Sequence, residues 1–386
     1  MIWEPGTGQR VPIRVWARAI TRETEAQLRR LAGQPWVHGF VAAMADAHVA
    51  EGVAVGSVFA TTHTVVPRAL GGDLGCGMSA LRLDVEAGAL DRRALVRLVE
   101  AFGRAIPTGS ATHRGKGALV PDALLAAPLS THSLEHAREA LARRHLGTLG
   151  GGNHFLELDR DHDGHVWLLV HSGSRGLGAA VAAHHDHEPS AAAGARDAAM
   201  PSLDTRTEAG AAYLADLAWT LDFARANRLA LVSRALAVLE DVLGVPVPHA
   251  AEVDIHHNFV ARETWLGESL LVHRKGAVAV PRGSAALVPG SMGTASYVVL
   301  GLGNEESFGS CSHGAGRVMT RREARTAIHP RALAETMRRV VYPERLARDL
   351  VEEAPAAYRD IREVLEDQTD LVTRQVRLEP MAVLKG

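Results

Sequence analysis

Two spacings of hydrophobic and polar positions run along the chain, and together they predict a protein of mixed helices and strands. Apolar residues recur every three or four positions in three long segments, which is the spacing of helices that bury one face. These segments are residues 91–106, 133–144 and 213–243. Shorter apolar and β-branched runs are typical of strands. They lie within residues 11–16, 64–83, 166–178, 251–265, 270–280 and 296–303.

The longest predicted helix ends at a clear stop signal. Gly244 and Pro246 follow its last apolar residue, and both disfavour a further helical turn. Its apolar positions near helical spacing are Leu217, Leu221, Ala224, Leu229 and Val232. The alanine-, histidine- and serine-rich residues 179–210 lack this spacing, so we expect them to be irregular.

Glycine-rich turns adjoin several of the predicted strands. Their sequences are GGDLGCGM, LGTLGGGN, HSGSRGLG and GLGNEESFGSCSHGAGR. Functional side chains are often presented on loops that a rigid sheet holds in place. There is no repeat and no obvious linker, and the candidate polar residues lie in loops between strands. The pattern therefore predicts one α/β domain over residues 1–386, with loops that converge on one site.

Composition narrows the class of protein. The chain has 386 residues, is 47% hydrophobic and carries a formal charge of -2, so a nucleic-acid partner would need a local basic patch. Two cysteines do not make a secreted disulfide scaffold. The start MIWEPGTGQR does not resemble a signal peptide, and no apolar run approaches the ~20 residues of a membrane span. We expect a cytoplasmic protein without a membrane segment.

A set of metal-ligating residue types stands in or beside the glycine turns and strand edges. Its members are Asp73, Cys76, His154, His171 and His257. One carboxylate, one thiolate and three imidazoles suit manganese, cobalt or zinc, and five ligands would allow two ions bridged by the thiolate. No pair has a zinc-finger or HExxH spacing. A lone histidine is more often a hydrogen-bonded structural residue, and a lone cysteine a small buried apolar one, so spacing leaves both interpretations open.

His313 stands apart, within the turn CSHGAGR. Its imidazole could attack phosphorus, carry a proton, bind a metal or serve only a structural loop. The glycines behind it would offer backbone donors to a phosphate, and Arg317 a planar guanidinium. The residues alone leave these alternatives open.

Long blocks of the sequence resemble, in order, the signature blocks of the RtcB family of RNA ligases, which use GTP and manganese. The blocks are MADAH, DLGCGM, LGGGNHFLEL, VHSGSRGLG, HHNFV, RKGAVAV, PGSMG, GLGNEESF and CSHGAGRVM. The resemblance runs to the terminal LKG and implies a single-domain α/β fold. In that fold helices flank central β-sheets, and the loops converge on one metal and nucleotide site.

The resemblance also implies site roles. His313 is similar to the histidine that becomes covalently guanylylated. Asp73, Cys76, His154, His171 and His257 are similar to the ligands of two Mn²⁺ ions per chain, with Cys76 shared. The family ligand directly precedes the asparagine of its HN motif, which favours His257 over His256. The implied contacts to GTP are Asn153 at the phosphates, Glu157 at the guanosine, Ser291, Gly314 and Gly316 in the pocket, and Tyr358 and Lys385 at the guanine.

The implied reaction joins an RNA 3′-phosphate or 2′,3′-cyclic phosphate to a 5′-hydroxyl, in RNA repair or tRNA splicing. The partners would be GTP and RNA, and a monomer is the simplest expectation. Two alternatives are a metal-dependent cyclic phosphodiesterase without ligation and a non-catalytic RNA- or nucleotide-binding protein. One departure stands out, because this chain has MADAHVAEG where the family usually has MPDVHLGKG. Glu51 thus replaces a basic residue and would weaken contact with an RNA phosphate.

Overall fold

The computed structural model describes residues 1–6, 8–115, 117–186, 200–265 and 267–385. In chain order its strands are β1 (Ile2–Trp3), β2 (Ile13–Val15), β3 (His38–His48), β4 (Val55–Thr61), β5 (Thr64–Val65), β6 (Gly77–Glu86), β7 (Phe155–Arg160), β8 (His165–Ser172), β9 (Leu203–Asp204), β10 (His249–His256), β11 (Asn258–Trp265), β12 (Glu268–Lys275), β13 (Ala277–Ala279), β14 (Ala285–Val288), β15 (Ser296–Gly301), β16 (Ser310–Ser312) and β17 (Val372–Leu384).

The α-helices are α1 (Arg22–Ala32), α2 (Pro67–Leu70), α3 (Arg92–Ala105), α4 (Asp122–Ala126), α5 (His132–His145), α6 (Gly176–Asp186), α7 (Glu208–Leu243), α8 (Arg321–Ala327), α9 (Pro330–Thr336), α10 (Ala347–Leu350) and α11 (Ile361–Glu366). Single 3-10 turns lie at Ala87–Ala89, Glu305–Ser307, Glu344–Leu346, Val351–Glu353 and Pro355–Ala357. None of these helices, within the described residues, is long and apolar enough to cross a membrane.

Two large sheets organise the part of the chain that the structure describes. A six-stranded sheet has the order β1-β2-β3-β4-β12-β11, and a seven-stranded sheet has the order β10-β6-β8-β7-β17-β15-β14. Two further strand pairs are β13 with β16 and β5 with β9. The α/β architecture of central sheets flanked by helices is thus confirmed.

The seven-stranded sheet is covered on both faces, and β8 shows why its sequence is a nearly continuous apolar run. Val166, Leu168 and Val170 pack with α3 and α7 in one core cluster. Trp167 and Leu169 alternate with them and pack against α8, α9 and α10 in another. Successive side chains of a strand point to opposite faces, so a strand between two helical layers must be apolar at every position.

The three long helices predicted from the apolar spacing are confirmed as α3, α5 and α7, with α7 starting five residues early. The predicted apolar face of α7 is only partly right, because Leu229 is 51% exposed while the polar Asn227 and Arg228 are buried. The irregular structure expected for residues 179–210 is wrong at both ends. Residues 179–186 belong to α6, whose alanines favour a helix and whose Val181 packs in a core, and α7 starts at Glu208.

Candidate metal and nucleotide site

Four of the five candidate ligands form a row at one edge of the seven-stranded sheet. His257 follows β10, Cys76 precedes β6, His171 lies near the end of β8, and His154 precedes β7. These four strands are antiparallel neighbours, so the end of each lies beside the start of the next. The register fixes the row through the pairs His256–Gly77, Gly77–Ser172 and His171–Phe155. Asp73 joins it from the loop between α2 and β6.

Cys76 stands at the centre of this row. Its Sγ lies 3.4 Å from Nε2 of His154 and 3.2 Å from Nε2 of His171, whose Nε2 is in turn 3.0 Å from Nε2 of His257. Two triads of converging ligand atoms result, each with its atoms within 4.8 Å of one another. One contains Cys76, His171 and His257, and the other contains Asp73, Cys76 and His154. The sulfur is therefore the atom that the two triads share.

Contacts at Nδ1 orient the imidazoles of His154 and His171 with Nε2 inward. Nδ1 of His171 donates to the carbonyl of Asn153 at 3.1 Å, and Nδ1 of His154 lies 2.9 Å from the carbonyl of Leu149. Nη1 of Arg175 also lies 3.0 Å from Nδ1 of His154. If Nδ1 carries the proton and donates it to Leu149, Nε2 keeps a lone pair for a metal, whereas if Nδ1 accepts from Arg175 the proton is on Nε2. Lone pairs that converge at 3 Å repel unless a cation lies among them, so this donor set fits a soft or borderline metal ion.

Burial keeps the imidazoles neutral. It lowers the pKa of His154 to about 4, where Asp73 opposes the shift and Arg175 adds to it. It lowers the pKa values of His171 and His257 well below the ordinary range, and neighbouring imidazoles add to the effect there. Burial, and then Asp73, raises the pKa of the Cys76 thiol well above 9.0. Neutral imidazole is the ligating form, whereas the thiol must lose its proton when a metal binds.

His313 lies beside this cluster without belonging to either triad. Its ring centroid is 4.8 Å from that of His257, and its side chain is largely buried. Nδ1 of His313 lies 2.6 Å from Oδ2 of the fully buried Asp46, which also accepts the backbone N–H of His313 at 3.1 Å. A carboxylate beside Nδ1 favours the proton on that nitrogen, which leaves Nε2 with a free lone pair.

A cavity next to His313 brings together all seven residues predicted to contact the nucleotide. The lining includes His313 and His171 together with Asn153, Glu157, Ser291, Gly314, Gly316, Tyr358 and Lys385. The first and last of these residues, Asn153 and Lys385, are more than two hundred positions apart in the sequence. The cavity and the metal triads share His171, so a ligand in the cavity reaches the metal cluster.

Lys385 is anchored rather than frayed. Its side chain is 5% exposed, and Nζ donates to the carbonyl of Gly152 at 3.1 Å and to Oε2 of Glu353 at 2.9 Å. Tyr358 donates its hydroxyl to the same Oε2 at 2.5 Å, and Arg317 donates to Oε1 at 3.1 Å. Although burial opposes ionisation of Glu353, Lys385, Tyr358 and Arg317 hold its pKa at about 2.

Glu353 was missed by the sequence analysis. It lies beside Glu352 in a helical stretch, and nothing in the local pattern distinguishes the buried acid from its neighbour. Arg317 was expected to bind phosphates, but its guanidinium donates to Met319, Glu352 and Glu353 and stacks on Tyr358. The structure thus directs Arg317 toward the protein framework of the cavity.

Gly316 was expected to let a ligand approach the backbone, and in the structure it also lets the backbone of the His313 turn lie against Asp46. Its φ is +70°, and an added Cβ would lie 2.5 Å from the backbone oxygen of Asp46. A side chain here would be strained and would push the His313 turn away from Asp46. This glycine therefore keeps the histidine and its carboxylate partner together.

Comparison with known proteins is consistent with the site. The sequence model of the family described as "tRNA-splicing ligase RtcB" matches residues 27–386. The chain is 36% identical to the RNA-splicing ligase RtcB1 of one Escherichia coli strain and 35% identical to the RNA-splicing ligase RtcB of strain K12, over 100% of both chains in each case. It is 27% identical to the tRNA-splicing ligase RtcB of Pyrobaculum aerophilum, over 100% of this chain and 98% of the relative.

Proposed function

Because the chain belongs to the RtcB family of RNA ligases, we propose that it joins an RNA 3′-phosphate or 2′,3′-cyclic phosphate end to a 5′-hydroxyl end, using GTP and Mn²⁺. The observation that carries the proposal is the position of His313. Its ring packs against a candidate metal ligand, His257, and it also lines the cavity that collects the predicted nucleotide contacts.

The first step of the proposed reaction is attack by Nε2 of His313 on the α-phosphorus of GTP. A P–N bond forms, the bond to the β-phosphate oxygen breaks, and pyrophosphate leaves. Asp46 holds the ring by its Nδ1 side and stabilises the charge that develops on the imidazole. The base would lie toward Glu157, Tyr358 and Lys385 at the other side of the cavity.

Two further displacements complete the reaction. Where the RNA end is a 2′,3′-cyclic phosphate, water first adds to its phosphorus and the bond to the 2′-oxygen breaks, which gives the 3′-phosphate. An oxygen of the RNA 3′-phosphate attacks the histidine-bound phosphorus and takes the GMP group, which frees His313. The 5′-hydroxyl of the second RNA end then attacks the 3′-phosphate, a phosphodiester forms, and GMP leaves. Two Mn²⁺ ions held by Asp73, Cys76, His154, His171 and His257 would neutralise phosphate charge and orient the attacking oxygen.

The intact mass of the protein after incubation with GTP and Mn²⁺ tests this proposal. We expect a mass gain of one GMP in the wild-type protein and none in His313→Ala. Labelled RNA with a 2′,3′-cyclic phosphate and a 5′-hydroxyl should give a joined product with the wild-type protein only. Absence of both the adduct and the joined RNA would overturn the proposal.

The alternative, a metal-dependent cyclic phosphodiesterase, draws on the fact that neither metal triad includes His313. It predicts that His313→Ala opens the cyclic phosphate at the wild-type rate and that the wild-type protein acquires no GMP. The same two assays therefore distinguish a ligase from this hydrolase.

A further inference from the structure

Two adjacent polar side chains are fully buried in the middle of α7. Asn227 and Arg228 are both 0% exposed, and they lie on the face of the helix that turns toward β6 and β8. A buried amide or guanidinium costs free energy unless hydrogen bonds replace its lost water. The hydrogen-bond partners of these two side chains therefore indicate why these buried positions of α7 carry polar residues and not apolar ones.

Asn227 connects the two glycine-rich loops of the metal cluster. Its Oδ1 accepts the backbone N–H groups of Gly147 at 2.7 Å and Thr148 at 3.2 Å. Its Nδ2 donates to the carbonyl of Gly173 at 3.0 Å, to Oγ of Ser172 at 3.0 Å and to the carbonyl of Thr148 at 3.2 Å. Both ends of the amide are thus engaged by atoms of the two loops and of Ser172, the last residue of β8.

These loop atoms lie next to the candidate ligands. Ser172 directly follows His171, and its hydroxyl donates to the carbonyl of Leu149 at 2.9 Å. That carbonyl is the group 2.9 Å from Nδ1 of His154. A chain of hydrogen bonds therefore runs from Asn227 through Ser172 and Leu149 to the ring of His154.

Arg228 holds the other half of the cluster. Its Nε donates to Oδ1 of Asp254 at 2.8 Å, and its Nη1 donates to the carbonyl of Gly75 at 3.3 Å. Gly75 directly precedes Cys76, and Asp254 lies in β10, the strand that leads to His257. The two neighbouring residues of α7 thus contact the segments that carry four of the five candidate ligands.

We propose that Asn227 and Arg228 are positioning residues that preorganise the metal cluster by fixing the loops of His154 and His171 and the segments of Cys76 and His257. The inference rests on the proposed function, because it assumes that the cluster binds Mn²⁺. The hydrogen-bond partners of both side chains are neighbours of the ligands, namely backbone groups of the ligand segments and the side chains of Ser172 and Asp254, so each acts through these neighbours.

Preorganisation is needed here because the loops are glycine-rich. Glycine loses more conformational freedom on ordering than any other residue, so a free LGTLGGGN loop would have to be ordered when the metal binds. Hydrogen bonds made in advance reduce that cost. Groups that orient metal ligands typically change metal affinity 10- to 100-fold when they are removed, and we expect about a tenfold effect from Asn227.

The test is calorimetric titration of the metal-free full-length protein with Mn²⁺ alone. We expect Asn227→Leu to raise the Kd for Mn²⁺ about tenfold. Ser172→Ala removes a single link of the same chain and should raise the Kd by a smaller factor while the protein stays folded. Thr220→Val is the matched control, because Thr220 is equally buried on α7 but donates only to its own helix, at the carbonyl of Asp216.

A second readout separates positioning from general stability. If the loops are merely less ordered, a high Mn²⁺ concentration should restore GMP attachment in Asn227→Leu to the wild-type rate, so that the KM for Mn²⁺ rises while kcat is retained. Wild-type affinity in folded Asn227→Leu would overturn the inference, as would an equal loss in Thr220→Val. If Asn227→Leu does not fold, wild-type affinity in Ser172→Ala overturns it. Failure of the wild-type protein to bind Mn²⁺ at all would instead overturn the proposed function.

Discussion

Oδ2 of Asp46 lies 2.6 Å from Nδ1 of His313, although 267 positions separate the two residues in the chain. The carboxylate is fully buried, and the same oxygen also accepts the backbone N–H of His313. The carboxylate beside Nδ1 favours the tautomer with the proton on that nitrogen, and the backbone contact holds the His313 turn next to Asp46.

We predict that Asp46→Asn slows GMP attachment about 100-fold, because a neutral amide stabilises the charged imidazole poorly. His313→Ala should abolish attachment altogether. Neither substitution removes a member of the metal triads, so metal content should stay near the wild-type value. Single-turnover labelling with GTP, alongside metal analysis of each variant, checks the prediction. Metal loss in His313→Ala would mean that His313 is itself a ligand.

Cys76→Ala should lower metal occupancy at both positions, because its sulfur belongs to both triads. His257→Ala should weaken one position. His256→Ala is the comparison variant, because His256 belongs to neither triad. Its Nδ1 donates at 2.9 Å to the carbonyl of Gly75, which Arg228 also holds, so its loss should weaken metal binding far less than the loss of a ligand. Mn²⁺ titration of the three variants gives the answer. Metal loss in His256→Ala with retention in His257→Ala would reverse the assignment of the ligand.

Nucleotide affinity should depend on pH through two buried acids on one face of β7. Burial, and then Asp159, raises the pKa of Glu157 well above its ordinary value, and burial raises the pKa of Asp159 to about 7, while Lys385 acts against the shift of Glu157. Guanine presents N–H donors, which an ionised carboxylate accepts best. GTP should therefore bind more tightly as the pH rises and Glu157 ionises.

Asp159→Asn removes the competing charge, so we expect the midpoint of that pH dependence to move to lower pH. Glu157→Gln should remove the dependence and reduce the preference for GTP over ATP. Equilibrium titrations with GTP at a series of pH values from acid to alkaline measure both effects. An unchanged midpoint in Asp159→Asn would show that the two carboxyl groups do not share a proton.

Stability in acid should depend on Glu353. Its folded pKa of about 2 lies below the ordinary value of 4.5, so the ionised carboxylate stabilises the fold above about pH 4.5. That contribution is lost as the pH falls through about 2, and a difference of this size corresponds to roughly 3 kcal/mol in the free energy of unfolding. Glu353→Gln should therefore be less stable than the wild-type protein at neutral pH.

The difference in the free energy of unfolding between Glu353→Gln and the wild-type protein should narrow as the solution is acidified, because protonation of Glu353 removes the stabilisation that its charge gives the wild-type protein. Thermal unfolding at a series of pH values provides the measurement. Glu352→Gln, the neighbouring acid, is the control and should show a smaller effect, since Glu352 interacts with the exposed Arg321 and Arg325. A stability difference between the two proteins that does not change with pH would show that the Glu353 charge does not stabilise the fold.

RNA affinity should respond to Glu51. The side chain is exposed, and its backbone carbonyl accepts Nζ of Lys275 at 2.6 Å. Glu51→Lys would replace repulsion of an RNA phosphate with attraction, so we expect tighter RNA binding. The affinity should also fall more steeply with salt concentration, by the amount expected for about one additional phosphate contact. Glu51→Gln should give an intermediate affinity. Equal binding by all three proteins would place the RNA away from this loop.

The sequence by itself determined the three longest amphipathic segments, several strands and most of the candidate chemistry, but not α6. The apolar spacing defined α3, α5 and α7, because a helix must bury one stripe of its surface. The long RtcB-like blocks indicated the family, and the matches over residues 27–386 and over whole relatives confirm it. The site roles implied by those blocks remain proposals, although the residues concerned converge in space.

Only the tertiary structure decided which residues meet. Spacing along the chain cannot show that antiparallel pairing aligns His257, Cys76, His171 and His154 at one sheet edge, because strand order is set by long-range contacts. It cannot distinguish Glu353 from Glu352 or connect Lys385 to Gly152. Asn227 and Arg228 fall where the helical period requires a buried residue, but their polar identity is explained only by the loops they hold. Buried polar groups must find hydrogen-bond partners, and when those partners are far apart in sequence only the tertiary structure determines which groups meet. Local sequence constrains only the contacts between residues that are close along the chain.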